Sequence, residues 1–371
     1  MLENVIREGL AGIGLDPGMF RGKHVVLKPN LLSASPPESA VVTHPEVFRA
    51  ALRIVKEGGG HPLMVESPAF QPLNKVVEKS GYDRILMEEP CEVADTGDRT
   101  VLFYGRGTGY RRFELPSALF KADIIISLSK LKTHSLTYIT GAVKNLFGLI
   151  HGLNKSRWHV KAPSAEAFAG FLLDFYEALL KGFDPPKTYI HIMDAIVGME
   201  GEGPGRKGQP KKIGALLMGR DALAVDAVAV HLLGLEPEKV PTLVLGGKRG
   251  SGVASLDHID VKGKQPRDFD IRDFVPSKSR NRFDLGRWPT NTNFFKNLFV
   301  ERPVPGSERC SLCYQCMTIC PGKAIGKSDG NSGVPSYDYG KCIRCYCCME
   351  ICPEAAIRLK RGRLQWLLEW R

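Results

Sequence analysis

The chain has 371 residues, 43% hydrophobic and 25% charged, the proportions of an ordinary globular protein with room for one large domain and a small one. No apolar run approaches the ~18 residues of a membrane span. The opening MLENVIREGLAGIGL, broken by Glu3 and Glu8, lacks the apolar stretch of a signal peptide, so the expected location is cytoplasmic. The formal net charge of +11 permits an acidic partner, an anionic substrate or a nucleic acid without choosing among them.

In chain order, KHVVLK (23–28) predicts a strand and THPEVFRAALRIVKEGGG a helix, with Thr43 as N-cap, Glu46 as its capping-box partner and glycines at the end. PLMVES is the next strand, followed by a helix over roughly 72–80 that Gly81 stops. ADIIISLS is a continuous apolar run, the mark of a strand buried on both faces. A long helix covers roughly 163–181. KTYIHIMDA and IGALLMG are further strands, and DALAVDAVAVHLLGL is an apolar helix capped by Asp221 and ended near Gly234. Strands alternating with helices predict an α/β domain over 1–264, a largely parallel sheet flanked by helices. From 265 to 305 periodicity fades into a linker.

Polar residues gather after each predicted strand. They are Lys28, Pro29 and Asn30; Glu66, Ser67 and Pro68; Lys130, Lys132 and His134 of SKLKTH; Asp194 with the loop GMEGEGPGRKG; and Arg220 with Asp221. In open parallel sheets ligands bind outside the carboxyl ends of the strands, so these loops are expected to meet in one crevice. The plainer alternative is that such lysines are only solvated. Lys28, Lys130, Lys132 and Lys144 supply ammonium groups, Asn30 and Asn145 amides, and His134 a proton donor or acceptor near neutrality. Such a set suits a carboxylate or phosphate. Asp194, Glu200 and Glu202 would serve a hard cation, although acidic residues in a glycine loop are more often turn formers. The other eight histidines lack metal-like spacing and read as structural. Gly203, Gly205 and Gly208 match G-x-G-x-x-G, but Pro204 interrupts them and a strand follows, so no helix N-terminus is there to hold a pyrophosphate. The isolated Cys91 reads as inert.

Nine of the ten cysteines lie between 310 and 352, spaced as metal ligands and not as a disulfide framework. CSLCYQCMTICPGKAI and CIRCYCCMEICPEAAI each fit C-x2-C-x2-C-x3-C-P, with Pro321 and Pro353 bending the chain after each run. Zinc would suit two C-x2-C pairs, but doubled four-cysteine runs ending in proline point to iron. Cys347 fits no position of the pattern and reads as a small apolar filler, with a redox role as the alternative. The spacing resembles that of bacterial two-cluster ferredoxins, in which the fourth cysteine of each run serves the other cluster. That resemblance implies two 4Fe-4S clusters in a domain over 306–357. One takes Cys310, Cys313, Cys316 and Cys352; the other takes Cys342, Cys345, Cys348 and Cys320. Each cluster with its thiolates carries about −2, lowering the net charge to about +7. The basic and aromatic tail, 358–371, is expected to pack Leu364, Trp366, Leu367, Leu368 and Trp370 on a neighbouring surface.

The stretches LKPNLL, THPEVFRAALRIVKEGG, DIIISLSKLKTHSLTYITGAVKNLFG, DAIVGMEGEGP and GRDALAVDAVAVHLLGL together resemble the domain of unknown function 362 family. Many members of that family carry a C-terminal two-cluster ferredoxin. The resemblance spans roughly 20–262 and 306–357. It implies an iron–sulfur protein of redox metabolism and carries over no catalytic residues. Two functions are expected from this fusion. In the first, an external electron carrier supplies the clusters and single electrons pass to the α/β crevice, where an anionic organic substrate is reduced. In the alternative, the α/β domain is a docking surface and the protein delivers electrons to a partner protein or assists its assembly. No nucleic-acid recognition motif of the common classes is present.

Overall fold

The computed structural model describes residues 1–152, 154–271, 273–277, 297–298, 300–328 and 333–362. Its centre is a seven-stranded sheet. The strands are β1 (His24–Lys28), β2 (His61–Met64), β3 (Glu92–Val93), β6 (Ile124–His134), β7 (Tyr138–Thr140), β8 (Thr188–Gly201) and β9 (Gly208–Gly219); a separate hairpin joins β4 (Arg99–Phe103) to β5 (Arg112–Pro116). The order is β3-β2-β1-β6-β8-β9, parallel through β8, with β9 antiparallel at one edge and β7 antiparallel on β6. The sheet is therefore mixed and mostly parallel, as the alternating pattern predicts.

Both faces are covered, which explains the continuous apolar runs. Val25, Leu27, Ile124, Ile126, Ile190 and Ile192 point to one core, under helices Leu2–Gly12 and Pro45–Glu57. Val26, Ile125, Tyr189 and Met193 point to the other, under helices Ala165–Lys181 and Ala222–Leu232. Successive strand residues thus feed opposite layers.

Several expectations need correction. The helix Pro45–Glu57 is capped by His44, whose side chain accepts from Glu46 N–H, and not by Thr43. Thr43 Oγ1 instead donates to Leu128 O at 2.7 Å and accepts from Asn30 N–H at 3.0 Å, joining the segment after β1 to the middle of β6. The sheet also continues past its expected ends. Pairing with β7 carries β6 through Lys132 to His134, and pairing with β9 carries β8 through Asp194 to Gly201. Lys130, Lys132, His134 and Asp194 therefore lie within strands and are buried, not on loops after them. Registers slip between Lys130 and Lys132 and between Ala195 and Val197, the irregularity expected beside a functional centre.

The C-terminal unit is built from two short helices, Gln315–Ile319 and Cys347–Ile351, with small ladders around them. Its pairing starts before 306 and ends after 357, because Arg302–Pro305 lies antiparallel to Ile357–Lys360. Positive φ at Leu312, Tyr314 and Lys323 recurs at Arg344, Tyr346 and Ala355, the equivalent positions of the second cysteine run, so the sequence duplication is also a backbone duplication. Of the expected linker, 278–296 lie outside the described residues, and so do Leu364, Trp366, Leu367, Leu368 and Trp370 of the tail.

Candidate functional site

A hydrogen-bonded chain of buried polar groups links the ends of β1, β2 and β6. Lys28 Nζ donates to Glu66 at 2.8 Å and to Pro29 O at 2.7 Å. Glu66 also accepts from the Leu31 and Ser67 backbone N–H groups. Asn145 Oδ1 accepts from Asn30 Nδ2 at 3.2 Å and lies 3.4 Å from Lys28 Nζ. Lys132 Nζ donates to Asn30 Oδ1 and to Val41 O, both at 2.7 Å. The sequence explains how Lys28 fits so deep: at Gly148 a Cβ would stand 2.3 Å from its ammonium nitrogen, so only glycine leaves room. Burial lowers the Lys28 pKa against the pull of Glu66. Lys132 is held well below the usual lysine range by burial first and by Lys144 and Lys130 next.

Next to this network opens a cavity of about 850 Å³, mouth included. One wall is the α/β domain, with Lys132, Thr140, Lys144, Lys155, His159 and Phe147; the facing wall is the C-terminal unit, with Ile319, Cys347, Glu350 and Ile351. His134, at the end of β6, stands 3.2 Å from Glu350 Oε1 through Nε2, in an alignment too bent for a full hydrogen bond. The glycine-rich turn that resembles a nucleotide motif has its role here. A Cβ on Gly205 would lie 2.6 Å from Glu350 O, so the turn is glycine because the second unit packs against its backbone.

Burial sets the charge states. His134 is held neutral, at about 4, by burial and then by the charge of Lys144. His159, stacked on Phe168 at 4.3 Å, is held at about 3 by burial. Burial opposes ionisation of Glu350, but His134 and Lys144 outweigh it and hold the carboxyl at about 2. Lys155 is lowered by burial to about 7, and Lys144 is lowered by burial against the attraction of Glu350.

Of the residues expected at the site, Asn30, Lys132 and Lys144 line the cavity, while Lys28 lies directly behind it. His134 reaches the junction of the two units and not the cavity wall. Lys130 and Asp194 form a buried ion pair of 2.8 Å away from the lining, with Asp194 also accepting from His44 N–H at 2.9 Å. Arg220 and Asp221 are elsewhere; Asp221 caps the helix Ala222–Leu232 and accepts from Tyr176 Oη. Glu200 accepts from Val275 N–H, and among the described residues no cluster suited to a single metal ion forms. Sequence reasoning did not single out Lys155 or Glu350, and read His159 as structural. Cys347, read as filler, is buried but lines the cavity. Cys91 is half-buried, and burial raises its thiol to about 11, in keeping with an inert residue.

In the C-terminal unit, Cys310, Cys313, Cys316 and Cys352 line one small cleft. Cys320, from the first run, neighbours Cys342 and Cys345 of the second. Burial, then the charges of Cys345, Cys342, Cys316 and Cys320, push the Cys348 thiol well up. So many facing sulfurs suit a cationic inorganic core, which removes their mutual repulsion. The two fourth cysteines of the runs each accept a backbone N–H at 3.3 Å, Cys320 from Ala324 and Cys352 from Ala356, an arrangement that favours thiolates.

The model for the domain of unknown function DUF362 matches residues 25–231, more than half of the chain. This protein belongs to the DUF362 family. A second model, the 4Fe-4S dicluster domain, matches 302–353 and gives the C-terminal unit of this DUF362 protein the character of an iron–sulfur electron-transfer module. The thylakoid-associated protein sll1697 of Synechocystis sp. is 33% identical over 281 residues, covering 75% of this chain and 84% of that protein. Among solved structures, the lactate racemase apoprotein of Thermoanaerobacterium thermosaccharolyticum matches with a TM-score of 0.38 and 11% identity over 59% of this chain and 52% of that one. A Thermotoga maritima protein matches with a TM-score of 0.38 and 14% identity over 58% and 54%. The DUF362 protein spans about half of each of these structures, a likeness too loose to carry over a function. Among the described residues no helix is long and apolar enough to cross a membrane.

Proposed function

We propose that this DUF362 protein is an iron–sulfur oxidoreductase of the cytoplasm that reduces an anionic organic substrate in the cavity between its two units. The Cys310, Cys313, Cys316 and Cys352 thiolates would hold one 4Fe-4S cluster, and Cys342, Cys345, Cys348 and Cys320 the other. Bound there, the clusters supply single-electron transfer from an external donor protein. The remaining chemistry belongs to the polypeptide. Lys132, Lys144 and Lys155 attract and orient the anion, Phe147, Ile319 and Ile351 exclude water around it, and Lys155, poised at about 7, can release a proton to the product. The observation that carries this reading is the shared wall. The helix Cys347–Ile351 contains the proposed ligand Cys348, is flanked in the chain by Cys345 and Cys352, and also lines one wall of a lysine-lined cavity. A docking surface for a partner protein, the alternative, has no need of that enclosed space.

The test uses anaerobic, reduced protein mixed with unsaturated carboxylates and with their neutral amides, following recovery of cluster absorbance. Carboxylates are expected to reoxidise the protein faster than the amides, and Lys144→Met to abolish the difference with iron content unchanged. Equal rates for acid and amide would remove the cavity from the mechanism.

A further inference from the structure

Among the described residues three buried polar atoms of the cavity's lining residues lack a hydrogen-bond partner, Thr140 Oγ1, His159 Nδ1 and Glu350 Oε1, the last standing 3.2 Å from His134 Nε2. The half-buried Lys144 has Glu350 as its counter-charge and makes no hydrogen bond among the described residues, whereas Lys132 donates to Asn30 and Val41, and Lys155 donates to Ser67 O. Thr140 and His159 are only 3% and 6% exposed. Buried polar atoms in native proteins almost always find partners, so groups left open around one cavity mark where a ligand supplies them. The charge balance gives its sign. With Lys28 paired to Glu66, the wall carries three further lysines, Lys132, Lys144 and Lys155, against the single carboxylate of Glu350; burial disfavours their charged forms, and an entering anion would restore them.

The opposite wall is a helix of five residues, too short to be stable alone. It is fixed by packing, by the contact of Glu350 with His134, and by the cysteines flanking it. Cys348 lies within it and Cys345 and Cys352 adjoin its two ends, so iron bound to these three thiolates would hold the helix at both ends and in its middle.

Resting on the reading above, we infer that an oxyanion head group, carboxylate or phosphate, seats on Lys144 and Thr140 beneath the helix Cys347–Ile351, and that filling this subsite and retaining iron on the adjoining thiolates are coupled in both directions. Thermodynamic linkage requires the reciprocity: if iron holds the wall that completes the subsite, the occupied subsite holds the wall that retains the iron. His159 supplies the third polar contact, with the tautomer set by the ligand.

The experiment takes the full-length, anaerobically loaded protein and measures two quantities, calorimetric binding of inorganic phosphate or benzoate and the iron retained at equilibrium against increasing chelator. Potassium chloride matches the ionic strength throughout. At least one probe is expected to bind and, at saturation, to raise the chelator concentration that removes half of the iron roughly five-fold or more. Comparing the two probes assigns the head group. Lys144→Met should lose binding and protection while starting from the same iron content, Lys144→Arg should retain part of both, and Thr140→Val should weaken binding about ten-fold. The subsite is overturned if neither probe binds or if Lys144→Met binds as well as the parent. The coupling is overturned if a probe binds and the chelator concentration that removes half of the iron is unchanged. Binding with protection, but without reoxidation of reduced protein by carboxylates, would leave this inference standing and sink the reductase.

Discussion

His134 and Glu350 face each other at 3.2 Å although they belong to the two different units of the chain. The Leu136 and Thr137 N–H groups donate to His134 Nδ1, at 2.9 and 3.3 Å, so the single proton of this neutral imidazole resides on Nε2, toward the Glu350 carboxylate. The same carboxylate is a counter-charge for Lys144. One side chain of the iron–sulfur unit thus ties the last residue of β6 to the cavity's open cation.

Glu350→Ala should therefore weaken the union of the units more than it weakens either one. We expect faster iron loss to a chelator and a stability loss of about 1–3 kcal/mol, with the far-ultraviolet spectrum unchanged. The pH dependence has a definite sign. Because the folded carboxyl titrates at about 2, below its unfolded value of 4.5, the stabilisation is complete above pH 4.5 and is lost as pH falls toward 2. Urea titrations of Glu350→Ala and parent between pH 7 and 3 should converge at the acid end; a constant difference would contradict the assignment.

His191 gives a second acid-sensitive element, inside the core. Neither of its ring nitrogens has a partner among the described residues, and burial holds it at about 4, below its ordinary 6.5. The unfolded chain takes up this proton first as pH falls from 6.5 to 4, so stability declines across that window, by about 3 kcal/mol for a single group. His191→Phe keeps a ring near Tyr189 and removes both unmet nitrogens. It should leave stability at pH 7 unchanged or higher and flatten the slope between 6.5 and 4, as followed by thermal melts. A steep slope in His191→Phe would assign the effect to His134 and His159 alone.

The sequence was most informative where chemistry repeats. The doubled cysteine runs appear as a doubled backbone, and the apolar run from Ile124 appears as a strand covered on both faces. The helix start at Asp221 follows from a side-chain cap that one residue type in one place provides. The site was legible only in part, for two physical reasons. Lys130, Lys132 and Asp194 read as loop residues because charge usually means exposure, yet each is buried with partners that come from distant segments. Cys347 and Glu350 belong to the cavity only because the C-terminal unit folds back onto Gly205, a contact across about 145 residues that no local pattern encodes.

The Lys130 and Asp194 ion pair, at 2.8 Å with both side chains essentially inaccessible, should behave as structure and not as catalyst. Lys130→Met strands a buried carboxylate and Asp194→Asn a buried ammonium, so each should cost about 3–5 kcal/mol. The double variant removes both charges and should recover much of that loss. Phosphate or benzoate binding, measured on whatever fraction remains folded, should keep the parent affinity in all three. A loss of binding greater than the loss of folded protein would return these residues to the site.

The cysteines separate into two classes by a contrast that needs no substrate. Cys320 sits beside Cys342 and Cys345 although it comes from the other run, and Cys352 lines the cleft of Cys310, Cys313 and Cys316. If the fourth ligands are crossed in this way, Cys320→Ala damages the cluster of the second run and Cys352→Ala that of the first. Each variant should fall from about eight irons toward about four, with electron paramagnetic resonance of the reduced protein retaining the signal of the opposite cluster. Cys347 is flanked by Cys345 and Cys348 yet lies on the cavity wall, so Cys347→Ser should keep the full iron content. Iron loss in Cys347→Ser equal to that in Cys320→Ala would make the extra sulfur a ligand, and uncrossed spectra would divide the two runs into separate cages.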